Sequence, residues 1–307
     1  MTRREKHITN VIRSRGVAIL LMLLGAWMVW SAPRYDILDI PDGISLLLTV
    51  ATGAGMIMIN RQFNLLRTTS LFFAGLFMVM CGATPGVFTG GLTPALLAAT
   101  VTCSIWIMFT LYNERRSDRR IFLAFTLLSA GAILDWAFLF YIPVFIVGIG
   151  QMRIFRFKKI LAAIIGIITP WWIALGLGLV PLPRIPHIFF TPPAMLADTP
   201  GGWPFLSAVA LTLAIGFFTG SINLLRILGF NARSRAINGL LSITGIATGV
   251  FAIVNFTHIA TYVILLNVTV AFQVGHFFRA TVNRRGYIFV LALLVAYTGL
   301  YIWSILS

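Results

Sequence analysis

The sequence predicts an all-α, polytopic transmembrane bundle, and three observations predict it. Apolar residues make up 59% of the chain and charged residues 10%, with a mean hydropathy of +0.95. A soluble core does not need its whole length this apolar. The apolar residues fall into about eleven runs of near membrane-crossing length, separated by polar or basic turns. The basic residues keep to alternate turns. With the N-terminus in the cytoplasm, 21 of the 23 Lys and Arg lie on that side and Arg34 and Arg184 lie opposite. This is the positive-inside distribution of a bacterial inner-membrane protein. The formal net charge of +15 is thereby assigned to anionic membrane lipids as partners, and not to nucleic acid.

Residues 113–159 set the sidedness. Basic turns at 113–120 and 153–159 enclose an apolar stretch interrupted at Asp135-Trp136. Short cationic loops are not translocated, so both turns belong in the cytoplasm and the stretch between them goes out and returns. A hairpin split at Asp135 gives two arms of about 17 residues, which at ~1.5 Å per residue only just cross a ~30 Å hydrocarbon layer.

The remaining elements follow in order. A basic cytoplasmic arm, 1–15, leads into span 1 (16–32), a signal anchor with Trp27 and Trp30 near its outer end. An acidic outer segment, 33–42, precedes span 2 (43–59) and span 3 (68–83). Glycines and prolines make 84–94 an irregular outer turn, and span 4 (95–112) returns to the first basic turn. Spans 5 and 6 are the hairpin. Span 7 (160–180) carries Pro170 before Trp171-Trp172, which predicts a kink. The longest outer loop, 181–204, contains seven prolines, whose restricted backbone suits a shaped lid. Spans 8 (205–225), 9 (236–254), 10 (259–278) and 11 (287–306) complete a single membrane domain, 1–307. Cys81 and Cys103 fall inside spans and read as packing residues.

Sorting the eight acids by side supplies the candidate chemistry. Glu5, Glu114 and Asp118 lie among cytoplasmic arginines and serve as ion-pair partners. Asp36, Asp39, Asp42, Asp135 and Asp198 are all outside, where Arg34, Arg184, His187 and His258 are the available partners. Asp36, Asp39 and Asp42 are three apart, which places them on one face of a short surface helix. One carboxylate could act as general base, or two could hold a divalent cation; alternatively Asp39 or Asp42 caps span 2. Asp135 is either an intramembrane carboxylate with a binding role or the N-cap of span 6. Arg34, Arg184 and His187 suit a phosphate-bearing ligand, or anchor their loops to headgroups. Gln273 and His276, one turn apart, read as a satisfied interhelical pair, as do Asn223, Asn238 and Asn267. Gly216, Gly220, Gly239, Gly245 and Gly249 read as close helix packing, or as the mobile helices of a transporter. The sequence carries no phosphate-cradling loop, metal-ligand motif, Ser-His-Asp grouping or dinucleotide fingerprint.

Residues 122–134, Phe140-Tyr141-Ile142-Pro143-Val144-Phe145, Lys158-Lys159 and Thr169-Pro170-Trp171-Trp172 resemble an uncharacterised multi-pass bacterial inner-membrane family. More remotely, the order of elements over residues 30–175 is similar to the membrane core of GT-C glycosyltransferases, which use polyprenyl-phosphate-linked sugars. That resemblance implies a GT-C-like core with Asp36 as base or metal ligand and Asp39 in support. Arg34, Asp135, Arg184 and His187 would then bind substrate, and polyprenyl phosphate would be a partner. The acidic pair usual in those enzymes is replaced here by Asp36-Ile37-Leu38-Asp39, and the first outer loop is shorter than theirs. Three function classes stand at this point. They are glycosyl transfer on the outer face, a non-catalytic component of an envelope complex with other inner-membrane proteins, and lipid or solute transport.

Overall fold

In hydrocarbon a chain has no water to satisfy its backbone, so each apolar run closes its own hydrogen bonds as a helix. The computed structural model describes residues 14–32, 40–66, 71–88, 91–114, 118–179, 202–227, 229, 231–280 and 284–307. Among them lie eleven α-helices and no strand. In order they are α1 (Arg15–Trp30), α2 (Ile40–Phe63), α3 (Phe72–Gly82), α4 (Thr93–Phe109), α5 (Asp118–Leu134) and α6 (Tyr141–Gln151). They continue as α7 (Phe157–Gly176), α8 (Gly202–Ile227), α9 (Ala232–Val254), α10 (Ile259–Ala280) and α11 (Arg284–Leu306). The architecture is thus the all-α transmembrane bundle that composition demands. Six of these helices, α2 and α7 to α11, are individually long and apolar enough to cross a membrane.

Local chemistry explains where several helices begin. The Ser14 hydroxyl accepts from Val17 N at 3.3 Å and opens α1. Asn231 Oδ1 accepts from Ser234 N at 2.9 Å and opens α9. Asp42 is not the cap of α2: the helix starts at Ile40, and Asp42 sits buried in its first turn, where the helix dipole favours a carboxylate. The returning arm of the hairpin is shorter than expected, because a 3₁₀ turn at Trp136–Phe138 intervenes and α6 has 11 residues. Helix α7 continues through Pro170, which is buried.

Helix α3 is the centre of the first half. Its 11 residues, all buried, span ~16 Å, about half a hydrocarbon layer. It packs against α1, α2, α10 and α11. Glycines make the contact with α1 possible. A Cβ at Gly25 would fall 2.3 Å from the Met78 carbonyl carbon, one at Gly75 2.7 Å from Leu21 Cβ, and one at Gly82 2.7 Å from Met28 Cβ. Close backbone approach at small residues is how apolar helices associate in lipid. Against α10, Phe73 stacks on Phe272 with centroids 5.2 Å apart, and Asn267 Nδ2 reaches Cys81 Sγ at 3.6 Å. A second pair, α5 and α7, uses Gly166, whose Cβ would meet Phe122 O at 2.6 Å.

The pairings also give direction. Gly25 and Gly82 show α1 and α3 running parallel, and Ser129 Oγ donating to Ile167 O places α5 parallel to α7. Antiparallel pairs are α3 with α10 (Phe72 on Phe278, Cys81 near Asn267) and α6 with α9 (Tyr141 on Thr248, Gln151 at Gly239). Elements of like parity run together and those of unlike parity run opposed. The described Lys and Arg, from Arg61 to Arg235, therefore share one end of the bundle, and Asp42 and Asp135 lie toward the other.

At the basic end the two turns of the hairpin meet. Asn113 N donates to Met152 O at 3.0 Å, and Lys159 Nζ donates to the main-chain oxygen of Glu114. Lys159 is 2% exposed. Arg120 adds a 3.5 Å ion pair to Glu114 and bonds to Thr110.

Two outcomes follow in thermal unfolding of the detergent-solubilised protein. Gly25→Leu should lose at least about 2 kcal/mol, because its side chain has only backbone to displace. Gly55→Leu, at a position where a Cβ meets nothing within 4 Å, should stay within about 0.5 kcal/mol of wild type. Lys159→Met should cost about 1.5–3 kcal/mol through the lost charge-assisted bond, and Lys158→Met, at an exposed neighbour, about 0.5 or less. Equal behaviour within either pair would show that these contacts do not hold the bundle.

Candidate functional site

Helices α8 and α9 are consecutive and antiparallel, and both pack on α10. Gly216 and Gly220 on α8, and Gly245 and Gly249 on α9, are each four residues apart, so each pair forms one bare strip on its helix. A Cβ at Gly216 would lie 2.8 Å from Val270 Cγ2 of α10. One at Gly220 would lie 3.1 Å from Gln273 Oε1, and one at Gly245 3.1 Å from Gln273 Nε2. The Gln273 carboxamide thus occupies space that only glycine leaves free. Gly249 approaches Leu213 of α8, so the two walls come together there.

Between these walls is a cleft of about 410 Å³ with α10 as its floor, within the range of small-molecule sites. Phe217 (81% exposed), Ile246 (56%), Val250 and Ile253 form its rim. None of its described lining residues is ionisable. Ser221, Ser242, Thr269 and Gln273 supply the polar groups, and Thr269 Oγ1 is already engaged with Leu266 O at 3.0 Å. Gln273 differs from these. Its side chain is 8% exposed, yet Oε1 has no hydrogen-bond partner. Its main-chain oxygen accepts from Asn223 Nδ2 at 2.9 Å, which ties α8 to α10 independently of the carboxamide. An acceptor left bare in a buried position costs about 1–3 kcal/mol, and a ligand bearing one N–H or O–H would remove that cost.

Of the candidates named from sequence, Asp135 is described. It caps the 3₁₀ turn: Ala137 N donates to Asp135 Oδ1 at 2.8 Å. On α10, the Tyr262 hydroxyl accepts from Asn255 Nδ2 at 3.2 Å. Arg34, Asp36, Asp39, Arg184 and His187 lie outside the described residues, as does 181–201 of the proline-rich loop. Gln273 is not the satisfied half of a polar pair that its spacing from His276 suggested. Sequence held one sign of the cleft, the paired glycines of α8 and α9, but not that Gly216, Gly220 and Gly245 face a third helix. No family model, curated protein or solved structure matches this chain.

If the carboxamide serves a ligand and not the fold, Gln273→Leu should unfold at the wild-type temperature or higher in delipidated detergent. The gain should reach about 1 kcal/mol, since a bare acceptor is exchanged for a hydrocarbon of similar volume. A marked loss of stability would make Gln273 a structural residue.

Proposed function

We propose that this protein is a lipid-handling inner-membrane protein. In this reading its N-terminus and basic turns face the cytoplasm, and one membrane lipid enters sideways between α8 and α9. A single observation carries the proposal: an apolar cleft with an exposed hydrophobic rim is lined by one buried amide whose oxygen has no hydrogen-bond partner. A water-soluble substrate would find few partners there, and a charged one would leave its solvation without compensation. A lipid chain exchanges hydrocarbon for hydrocarbon and reaches the site without leaving the bilayer.

This belongs with the transport class named from sequence. It is also compatible with a polyprenyl-linked donor, whose isoprenoid tail needs a cleft of this kind. Outer-face glycosyl transfer itself would rest on Asp36 and Asp39. Gln273 lies toward the basic end of α10, opposite the acids, so lipid handling accounts for more of the described geometry.

Ser221, an exposed residue on the α8 wall, provides the test. Ser221→Trp should occupy the cleft without disturbing the core. Mass spectrometry of protein purified in mild detergent should then find a selectively retained lipid reduced about ten-fold, a change of ~1.4 kcal/mol, at unchanged unfolding temperature. The same lipids at the same occupancy in both forms would end the proposal.

A further inference from the structure

The chemistry of the cleft narrows the class of lipid. We infer that it binds an uncharged lipid alcohol, with the hydroxyl donating to Gln273 Oε1 and the chain lying along α8 and α9 toward Gly249. This rests on the lipid reading above and specifies its ligand.

Four observations converge on this. The unpaired atom is an acceptor, so the ligand must bring a donor. No described lining residue is charged, so a phosphate or carboxylate placed there would find no counter-ion among them. The depth is right for an alcohol. One turn beyond Gln273 on α10 stands Phe277, with the Arg226 guanidinium over its ring at 5.9 Å. A hydroxyl on Gln273 therefore lies ~6 Å inside that arginine layer, by four residues at ~1.5 Å each. Arg226 is not among the residues that line the cleft, and its guanidinium is laid on an aromatic face. Finally, the glycines fix the acceptor. With Gly220 near Oε1 and Gly245 near Nε2, the carboxamide plane is held between two backbones, so the site selects for a donor at one depth.

The experiment uses the full-length protein in nanodiscs doped, one at a time, with hexadecanol, hexadecyl methyl ether or hexadecyl phosphate, with occupancy read by native mass spectrometry. These probes share a chain and differ in the terminal group. Wild type should favour the alcohol over the ether by about three- to ten-fold, the usual effect of one buried hydrogen bond. Gln273→Leu should bind both alike at the level of the ether, and Ser221→Trp should exclude both.

Equal retention of alcohol and ether by wild type would overturn the donor assignment while leaving a lipid cleft in place. Preference for the phosphate would overturn the uncharged class. Failure of alcohol and ether alike to bind, or binding that Ser221→Trp does not reduce, would overturn the lipid reading itself.

Discussion

Close backbone contact at glycine is the interaction on which this bundle depends. Within a bilayer, apolar helices gain little by exchanging lipid for one another, so association relies on tight van der Waals packing and a few internal hydrogen bonds. The contact between Gly25 and the Met78 peptide, with Gly75 and Gly82 returning it from the other side, lets α1 and α3 approach closely enough to bury α3 completely. Helices α2, α10 and α11 pack onto α3 beside that contact. Helix α10 lies against the second face of α3 through Phe272, Phe278 and Asn267, and α11 joins α1 where Ser31 Oγ meets the Tyr301 hydroxyl at 2.6 Å.

Helix type and alternation were legible because they depend on local features. A run of apolar residues cannot leave its peptide groups unpaired in hydrocarbon, so residues 16–32 become Arg15–Trp30 and 236–254 become Ala232–Val254 with small changes at the ends. That the two basic turns share one end of the bundle was legible for a similar reason, since charge sorting is carried by sequence order alone, whereas their direct contact was not. Depth was not. A fully buried helix such as α3 and a lipid-facing one such as α11 are both apolar, and hydropathy does not separate a protein neighbour from a lipid one. The shortness of α3 became visible only with its ends.

The cleft was illegible for a different reason. From sequence, Gln273 has His276 one turn away and reads as paired, because partners on other helices are invisible in a single chain. What leaves Oε1 bare is that the side chains it would meet on α8 and α9 are Gly220 and Gly245. The same residue type that seals α1 to α3 thus isolates an amide here. In the first case Gly25 receives the Met78 peptide, and Gly75 and Gly82 receive Leu21 and Met28; in the second, Gly220 and Gly245 both border one carboxamide. Asp135 shows the reverse limit. Its sequence neighbourhood suggested a cap, and the bond from Ala137 N is entirely local.

This arrangement also argues that the cleft is not merely a packing fault. Helices α8 and α9 are neighbours in sequence, and glycine strips turned toward each other would let them close as α1 and α3 do. Gly216, Gly220 and Gly245 are instead turned onto α10, and Gly249 meets Leu213 of α8, leaving Phe217 and Ile246 at the rim. Closing the walls would seal an unsatisfied acceptor in a drier place, which raises its cost. Leaving them apart without an occupant sacrifices dispersion contacts along three helices. A chain-bearing donor resolves both penalties at once, since its hydrocarbon restores the contacts and its hydroxyl meets the amide. The open cleft and the bare oxygen therefore have one physical explanation in common, whereas a structural defect would require two.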